Sequence, residues 1–400
     1  MAVVLSLPTE LLCQIADSVD STDLGNMRLV CKPLRDAANR AFGIAHVKNR
    51  RHVLTQKSIE ALLEIVTHPT LGAYVDSILM SPLLPPAATS ASAPESRAEA
   101  PVDSRSYMKL MKQVFANILG HQNSVHISIC SLRPMSGHDS LDMVELVSMV
   151  SRYPTETLEN TLIAAIRANC RVRTLELSMH QHNFFDLRDA LEDLLSPTRP
   201  PLKLIIHCHR KRTGILHFPY TITFDQTNLS LTLNGCDLTE LVMARLGSSI
   251  KRLFGFLFAQ TTQLVLENCH LCSVRHFAAF LALDETEAFT RTLVSVRMQN
   301  FRPCRSAGNV ARRHWSGILR ALSNLGGLKY FVIEGLRSPA YWDLFHLHRT
   351  TEKHEVGGQD VAEQLEAMAV LVATEPVKEV LPSSDRSSPS PVRDEWQNYI

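Results

Sequence analysis

The sequence predicts an α/β protein in which three short N-terminal helices precede an irregular solenoid of alternating helices and parallel strands. Three observations favour this fold class: helical patterns near the N-terminus, a strand-and-turn motif that recurs downstream, and helical patterns between its copies. The chain has 400 residues, 45% of them apolar and 20% charged, as in soluble globular proteins. Because this length exceeds one ordinary core, we expect two or three domains.

The N-terminal region, residues 1–45, reads as three short helices within residues 7–42. The first begins at Pro8, since proline's missing N–H costs nothing there, and residues 20–23 end it and cap the second. Pro33 limits the second helix. Their apolar residues exceed what so small a unit can bury. We therefore expect either a partner protein or the following domain to cover them.

The order of residues in these helices resembles the F-box motif. The resemblance rests on LPxELLxxI from Leu7, DL from Asp23 and RLVCKxxR from Arg28, with departures at Gly25 and at Pro33-Leu34. It implies docking on the SKP-family adaptor of a cullin–RING ubiquitin ligase. The adaptor-binding face that it implies consists of Leu7, Pro8, Leu11, Leu12, Ile15, Leu24, Leu29, Val30, Cys31 and Leu34.

Three further segments have distinct compositions. Residues 46–80 predict a connector with one helix, ending at His68-Pro69, and one strand near residues 74–80. Residues 81–106 are rich in proline, serine and alanine and offer little apolar surface, so we expect a disordered insert. We expect the tail, residues 374–400, to be disordered for the same reason.

A weak internal repeat lies between the insert and the tail. The pattern L-x-L-x-x-C-x-L begins at Leu231 and again at Leu264, and degenerate copies begin at Leu175, Val296 and Phe331. This is the strand-and-turn signature of leucine-rich repeats. Its alternating leucines point to one side of a strand, and the cysteine turns inward after it.

Residues 107–373 are therefore predicted to form a leucine-rich-repeat-like α/β domain, with helices outside and binding residues on the concave strands and loops. Further strands are expected at Val125–Cys130 and Leu202–Cys208. The irregular copies leave a βαβ domain of another kind open.

Cysteine and histidine pairs offer candidate metal ligands. Cys269 and Cys272 have C-x-x-C spacing with His276 nearby, but a structural zinc site needs four ligands and no second pair follows. His207 and His209 would share one face of a strand, yet no carboxylate at matching spacing accompanies them. We predict a core cysteine, surface histidines, and neither metal nor cofactor.

Signatures of other functions are missing from the sequence. The motifs G-x-S-x-G, G-x-x-x-x-G-K-[ST] and G-x-G-x-x-G do not occur, so we predict no enzyme. A formal charge of +1 gives no bulk attraction for nucleic acid, and no apolar run is long enough for a membrane span. Scattered cysteines, nine in all, and the lack of a secretory signal indicate the cytoplasm or nucleus.

The sequence therefore resembles the F-box proteins of filamentous fungi that carry a C-terminal leucine-rich-repeat-like domain. The resemblance implies a non-catalytic substrate receptor of an SCF-type ubiquitin ligase, with an unidentified protein target. Three alternatives stay open: an F-box scaffold outside the ligase, a metalloprotein or enzyme built from scattered histidines and cysteines, and a helical cap that only resembles an F-box.

Overall fold

The computed structural model divides the chain into two compact units. The first comprises residues 1–207 and 225–227, and the second comprises residues 208–224 and 228–400. The division falls inside the region predicted as one repeat domain, and the first unit also includes the predicted connector. The residues described are 6–81, 103–129, 154–180, 188–196, 198–212, 215–236, 238, 256–271, 274–281, 292–301, 309–335 and 353–374.

The first unit opens with the three predicted helices, α1 (Thr9–Ser18), α2 (Leu24–Val30) and α3 (Lys32–Phe42). Pro8 precedes α1, and an extended Cys31 separates α2 from α3. Proline in the first turn of α3 cannot continue α2 but is tolerated where N–H groups lack helical partners. The three-helix prediction is confirmed, and a π-helical turn (Gly43–Val47) follows.

A small core holds the three helices together. Ion pairing and stacking add to it: Arg40 Nη1 lies 3.2 Å from Asp17 Oδ2, and the Arg28 guanidinium lies 4.1 Å from the centroid of the Phe42 ring. Both α1 and α2 pack against α3. The buried apolar side chains are those of Leu12, Ala16, Leu24, Ala37 and Ala38.

The rest of the first unit alternates strands and helices. Strands β1–β2, β2–β3 and β3–β4 pair in parallel, which requires the intervening chain to cross back over the sheet. The elements are β1 (Asn49–Val53), α4 (Gln56–Thr67), β2 (Ser77–Ser81), α5 (Ser104–Gly120), β3 (Ser124–Ile129), α6 (Pro154–Arg167), β4 (Arg171–His180), α7 (Arg188–Leu194) and β5 (Lys203–Arg212), whose end passes the unit boundary. Strands β3 and β5 confirm the two additional strands predicted.

The structure revises the predicted connector and insert. Residues 46–80 supply the first strands of the sheet rather than a link, because β1 pairs with β2 and β2 with β3. The insert predicted for residues 81–106 overlaps ordered structure at both ends, since Ser81 closes β2 and α5 begins at Ser104. Asp103 starts that helix early by accepting the N–H groups of Arg105 and Ser106 at 3.1 and 3.0 Å. Residues 82–102 lie outside the described residues.

The second unit also alternates strands and helices. Strands β7 to β10 pair in parallel in chain order, and β11 joins β10 antiparallel. The elements are β6 (Ile215–Asp225), β7 (Ser230–Asn234), β8 (Gln263–Glu267), α8 (Val274–Leu281), β9 (Ser295–Gln299), α9 (Asn309–Ser323), β10 (Tyr330–Glu334), β11 (Lys353–Gly357) and α10 (Val361–Thr374). The parallel prediction is therefore wrong at β11, which carries no copy of the repeat motif and needs no crossover helix. Most of the predicted tail, residues 375–400, lies outside the described residues.

The repeat motif read from the sequence lies in register across β7 to β10. Leu231 pairs with Leu264, Leu264 with Val296, and Val296 with Phe331. All four side chains are buried, as are those at the second motif position two residues later. Alternation along each strand turns these residues to one face, where α8, α9 and α10 bury aromatic and aliphatic side chains such as Trp315.

The turns after these strands repeat one backbone geometry. Gly235, Asn268, Asn300 and Gly335 each follow a strand with φ between 52° and 73°. The two asparagines tolerate this left-handed conformation and build a ladder, in which Asn300 Nδ2 donates to Asn268 Oδ1 at 3.1 Å and Asn268 Nδ2 donates to Asn234 Oδ1 at 3.2 Å. Each turn is thereby held to the preceding one.

Replacing Gly335 with alanine should lower the stability of the second unit by about 1–2 kcal/mol, because an L-residue is strained at φ +66°. The new Cβ would also collide with the Oδ1 atom of Asn300, which belongs to the ladder. Thermal unfolding followed by circular dichroism measures the change. Gly326→Ala is the matched control, since its Cβ meets open space. Equal melting temperatures for the two variants would contradict the role of the ladder.

Candidate functional site

Exposed apolar side chains concentrate on the N-terminal helices. Leu29 is 86% exposed, Val30 54%, Leu11 42% and Ile15 39%. Single exposed leucines are ordinary on protein surfaces, but several within one small helical unit indicate a binding surface. With Ile44, these four are called the helical apolar surface below.

The local sequence explains why these side chains remain exposed. Helix α2 has seven residues, and Leu24 is its only buried one. Leu29 and Val30 end this helix just before the extended Cys31, so the chain turns away before another element covers them. On α1, Leu12 and Ala16 face α3 while Leu11 and Ile15 lie at the edge of that contact.

The ten residues of the implied adaptor-binding face fall into two groups. Leu12 and Leu24 are each 3% exposed and belong to the core of the helices, so in this conformation they support the surface from beneath. The other eight are accessible to a partner: Pro8, Leu11, Ile15, Leu29 and Val30 are exposed, and Leu7, Cys31 and Leu34 are half-buried. Direct contact between these residues and an adaptor stays a prediction.

Ile44 extends this surface beyond the residues that the motif implied. It lies on the π-helical turn after α3 and is 49% exposed. Its neighbour Gly43 is buried, because the ring of Tyr74 occupies the space that a Cβ would need. The sequence offered no signal for it, because the F-box pattern ends before Ile44 and the packing of Gly43 is visible only in the structure.

A second candidate surface is the face of strands β8 to β11 opposite the buried leucines. It contains a shallow cavity of about 210 Å³ lined by seven residues. Arg297 Nε donates to Glu334 Oε1 at 2.8 Å, and Val332 is almost fully buried although it lies on this face. The lining residues are Gln263, Val265, Ser295, Arg297, Tyr330, Val332 and Lys353.

Charges at the edge of this cavity are paired with one another. The Lys353 ammonium and the Tyr330 hydroxyl both hydrogen-bond Glu355, which lowers the pKa of that carboxyl. Because the Tyr330 hydroxyl donates this bond to the carboxylate, its protonated form is stabilised and the pKa of Tyr330 is raised. The lining residues offer hydrogen-bond donors, acceptors and apolar area.

The structure corrects the interpretation of His207 as a histidine without a carboxylate. Glu176 on β4 is 6% exposed, and its Oε1 lies 3.0 Å from Nε2 of His207 on β5. Its Oε2 lies 3.3 Å from Nε2 of His126 on β3. His207 thus donates a hydrogen bond to a buried carboxylate, which would be costly to bury without a partner. His207 is only partly exposed, and the side chain of His209 lies outside the described residues.

The candidate C-x-x-C site is only partly described. Cys269 is buried, and its thiol lies 3.2 Å from the carbonyl oxygen of Leu233, as expected for the inward cysteine of the repeat. Cys272 lies outside the described residues. Within the described part of the chain, no group of three or more histidine, cysteine, aspartate and glutamate side chains has the geometry to hold a metal ion. None of the helices described there is long and apolar enough to cross a membrane.

Comparison with protein families identifies the helical unit. The family model described as F-box-like matches residues 4–42, which include α1, α2 and α3. Comparison with curated proteins gives no significant match. F-box domains typically belong to non-catalytic adaptor-binding subunits. The chain thus carries an N-terminal F-box-like domain, followed by a mixed α/β region rich in parallel strands.

Proposed function

We propose that this protein is a non-catalytic substrate-recognition subunit of an SCF-type cullin–RING ubiquitin ligase, acting in the cytoplasm or nucleus. Its F-box-like domain docks on a SKP-family adaptor, and its α/β region binds a protein target. The observation that carries the proposal is the F-box-like match over residues 4–42 together with the exposed leucine and valine at the end of α2.

Energetics support docking through the helical apolar surface. Full burial of a leucine, isoleucine or valine side chain stabilises a complex by about 1.5–3 kcal/mol. Leu11, Ile15, Leu29 and Val30 are all at least 39% exposed in the free chain, so each can lose further area to a partner. Together they offset much of the entropy that association costs, which is estimated at about 4–15 kcal/mol.

The π-helical turn that directly follows the F-box-like domain is attached to the sheet, which supports a presenting role. Arg50 on β1 donates from Nη1 to the carbonyl oxygen of His46 at 2.8 Å, and Lys48 O accepts the N–H of Ser77 on β2 at 3.0 Å. Gly43 packs against the ring of Tyr74. A docking domain fixed to the sheet in this way orients the first unit relative to the adaptor. Catalysis then comes from proximity and orientation, with transfer chemistry supplied by other subunits.

Within this proposal, the second unit is a leucine-rich-repeat-like region whose open sheet face binds the target. The in-register motif leucines and the asparagine ladder support the repeat assignment, because equivalent residues make equivalent contacts on successive strands. The cavity around Val332 and Arg297 supports the binding face, since it combines apolar area with donors and acceptors.

Reconstitution tests the proposed function. Co-expression with a SKP-family adaptor, a cullin and a RING subunit should yield one complex in size-exclusion chromatography, with equal amounts of this chain and the adaptor. The purified complex should then support ubiquitin transfer in the presence of the conjugating enzymes. Absence of adaptor binding by the wild-type chain would refute the proposal. An adaptor complex that excludes the cullin would instead support the scaffold alternative.

A further inference from the structure

A basic groove lies between helices α5 and α6 of the first unit, separate from the helical apolar surface. Its cavity has a volume of about 530 Å³. Four of its six lining residues are cationic, and the remaining two are a methionine and a serine. The lining residues are Ser104, Arg105, Met108, Lys109, Lys112 and Arg167.

Helical spacing places these residues together. Arg105, Met108, Lys109 and Lys112 are three or four residues apart, so they form one stripe along α5. The opposite side of α5, which includes Tyr107, Val114 and Ile118, is buried. The orientation of the basic stripe is therefore set by the core.

Contacts across the helices fix the two walls of the groove. The hydroxyl of Tyr107 lies 2.6 Å from Oγ1 of Thr161, and both residues are buried. At the other side, Arg167 Nη1 lies 3.3 Å from Sδ of Met108, which places the cation of α6 directly beside α5. The walls of the groove are thus built into the fold.

Among the side chains that the structure describes, no carboxylate neutralises the positive charge of this groove. Within the described ranges, none of the four cations forms an ion pair with an aspartate or glutamate. The adjacent acid, Asp103, uses its carboxylate to cap the N-terminus of α5. The chain as a whole carries a net charge of only +1, so this concentration of cations is a local feature.

We propose that the groove binds a short acidic segment of a partner protein, in which carboxylates flank an apolar side chain. The surface of the cavity itself is almost entirely apolar, so Met108 and the aliphatic stems of the lysines and arginines would cover the apolar side chain. The charged ends of the four cations lie outside this apolar lining, where they would meet the flanking carboxylates. Nucleic acid fits less well, because none of the lining residues is aromatic and able to stack on a base. A membrane surface fits less well too, since no large apolar side chain of the groove is exposed for insertion.

The biological role of this groove rests on the proposed function, because the acidic segment would belong to the target held by the ligase. Its binding chemistry does not depend on the adaptor. A failed adaptor experiment and a failed groove experiment would therefore be distinguishable, since either surface can be measured without the other.

Fluorescence anisotropy with a labelled twelve-residue peptide of glutamate and leucine tests the groove on the full-length protein. We expect saturable binding that weakens at least tenfold in the variant carrying Lys109→Glu and Lys112→Glu, and that weakens as salt is raised. A peptide with glutamine in place of glutamate should bind at least tenfold more weakly than the acidic one. Circular dichroism should show unchanged folding, because both lysines are exposed helix positions and glutamate is also a good helix former.

The matched control carries Lys203→Glu and Lys329→Glu, which changes the net charge equally at exposed positions outside the groove. It should bind the acidic peptide as the wild type does. If peptide binding weakened equally in both variants, the loss would be due to net charge alone, and the proposal would be overturned. If a single-stranded oligonucleotide bound more tightly than the peptide, the proposal would be overturned in favour of nucleic acid. If the peptide bound only after deletion of residues 82–102, it would be overturned in favour of the chain's own insert as the occupant.

Discussion

Replacing Leu29 with aspartate is expected to weaken binding of a SKP-family adaptor by at least about 100-fold, from two physical effects that add. The substitution removes the most exposed apolar side chain among the described residues, whose burial on docking would contribute about 1.5–3 kcal/mol. It also places a carboxylate in an apolar interface, where an unpaired charge is costly. Isothermal titration calorimetry with the purified adaptor measures the loss.

Folding should be unaffected by this substitution, because the leucine side chain is 86% exposed. Leu371→Asp is the matched control: it makes the same chemical change at a leucine that is 53% exposed on α10, outside the F-box-like domain. The control should bind the adaptor as the wild type does. Undiminished adaptor binding by the Leu29 variant would show that the adaptor uses another surface.

The parts of the fold that the sequence predicted are those with local periodic signals. Leu231 and Leu264 begin copies of one pattern, and the same pattern fixes their pairing in adjacent strands. Slipping one strand by a residue would turn its buried leucines to the open face, so the alternation itself specifies the register. The helices containing Phe277 and Trp315 were likewise foreseeable, because their apolar residues follow the helical period.

Strand β1 was missed because its sequence, NRRHV, shows no alternation of apolar and polar residues. Its register with β2 places Arg50 beside Ile78 and His52 beside Met80, so polar residues occupy positions where aliphatic ones are usual. Hydrogen bonds compensate: Arg50 bonds the carbonyl of His46, and His52 that of Ser58. Only the tertiary structure supplies these partners.

The candidate sites also differ in how far the sequence alone reveals them. Leu29 and Val30 could be selected from the sequence because the F-box pattern is contiguous. The carboxylate that joins His126 and His207 could not, since Glu176 is distant in sequence from each of them and the three strands meet only in the sheet. The basic groove is an intermediate case. Its stripe on α5 is visible in the sequence as a helical period, but no local pattern reveals that Arg167 from another helix joins it.

Acidification is expected to destabilise the first unit through His52. This side chain is 4% exposed, and its Nδ1–H donates to the carbonyl oxygen of Ser58 at 2.8 Å. Burial, with a smaller contribution from the charge of Arg50, lowers the pKa of His52 from 6.5 to about 4. Because the unfolded chain binds a proton near pH 6.5 and the folded chain does not, stability falls as pH drops from 6.5 towards 4. The loss is about 3 kcal/mol at the lower end.

His52→Asn isolates this contribution, since the amide can donate to the carbonyl of Ser58 in place of Nδ1–H and does not titrate. The apparent free energy of unfolding, measured by urea denaturation at several pH values from 7.5 to 4, should fall more steeply for the wild type than for the variant. Exposed His68, changed to asparagine in the same way, controls for the mere loss of a histidine and should retain the steep slope of the wild type. Parallel curves for wild type and His52→Asn would mean that His52 is protonated in the folded protein. The buried position beside Arg50 would then have to admit water or a counter-charge, because a second buried cation next to the guanidinium has no other means of stabilisation.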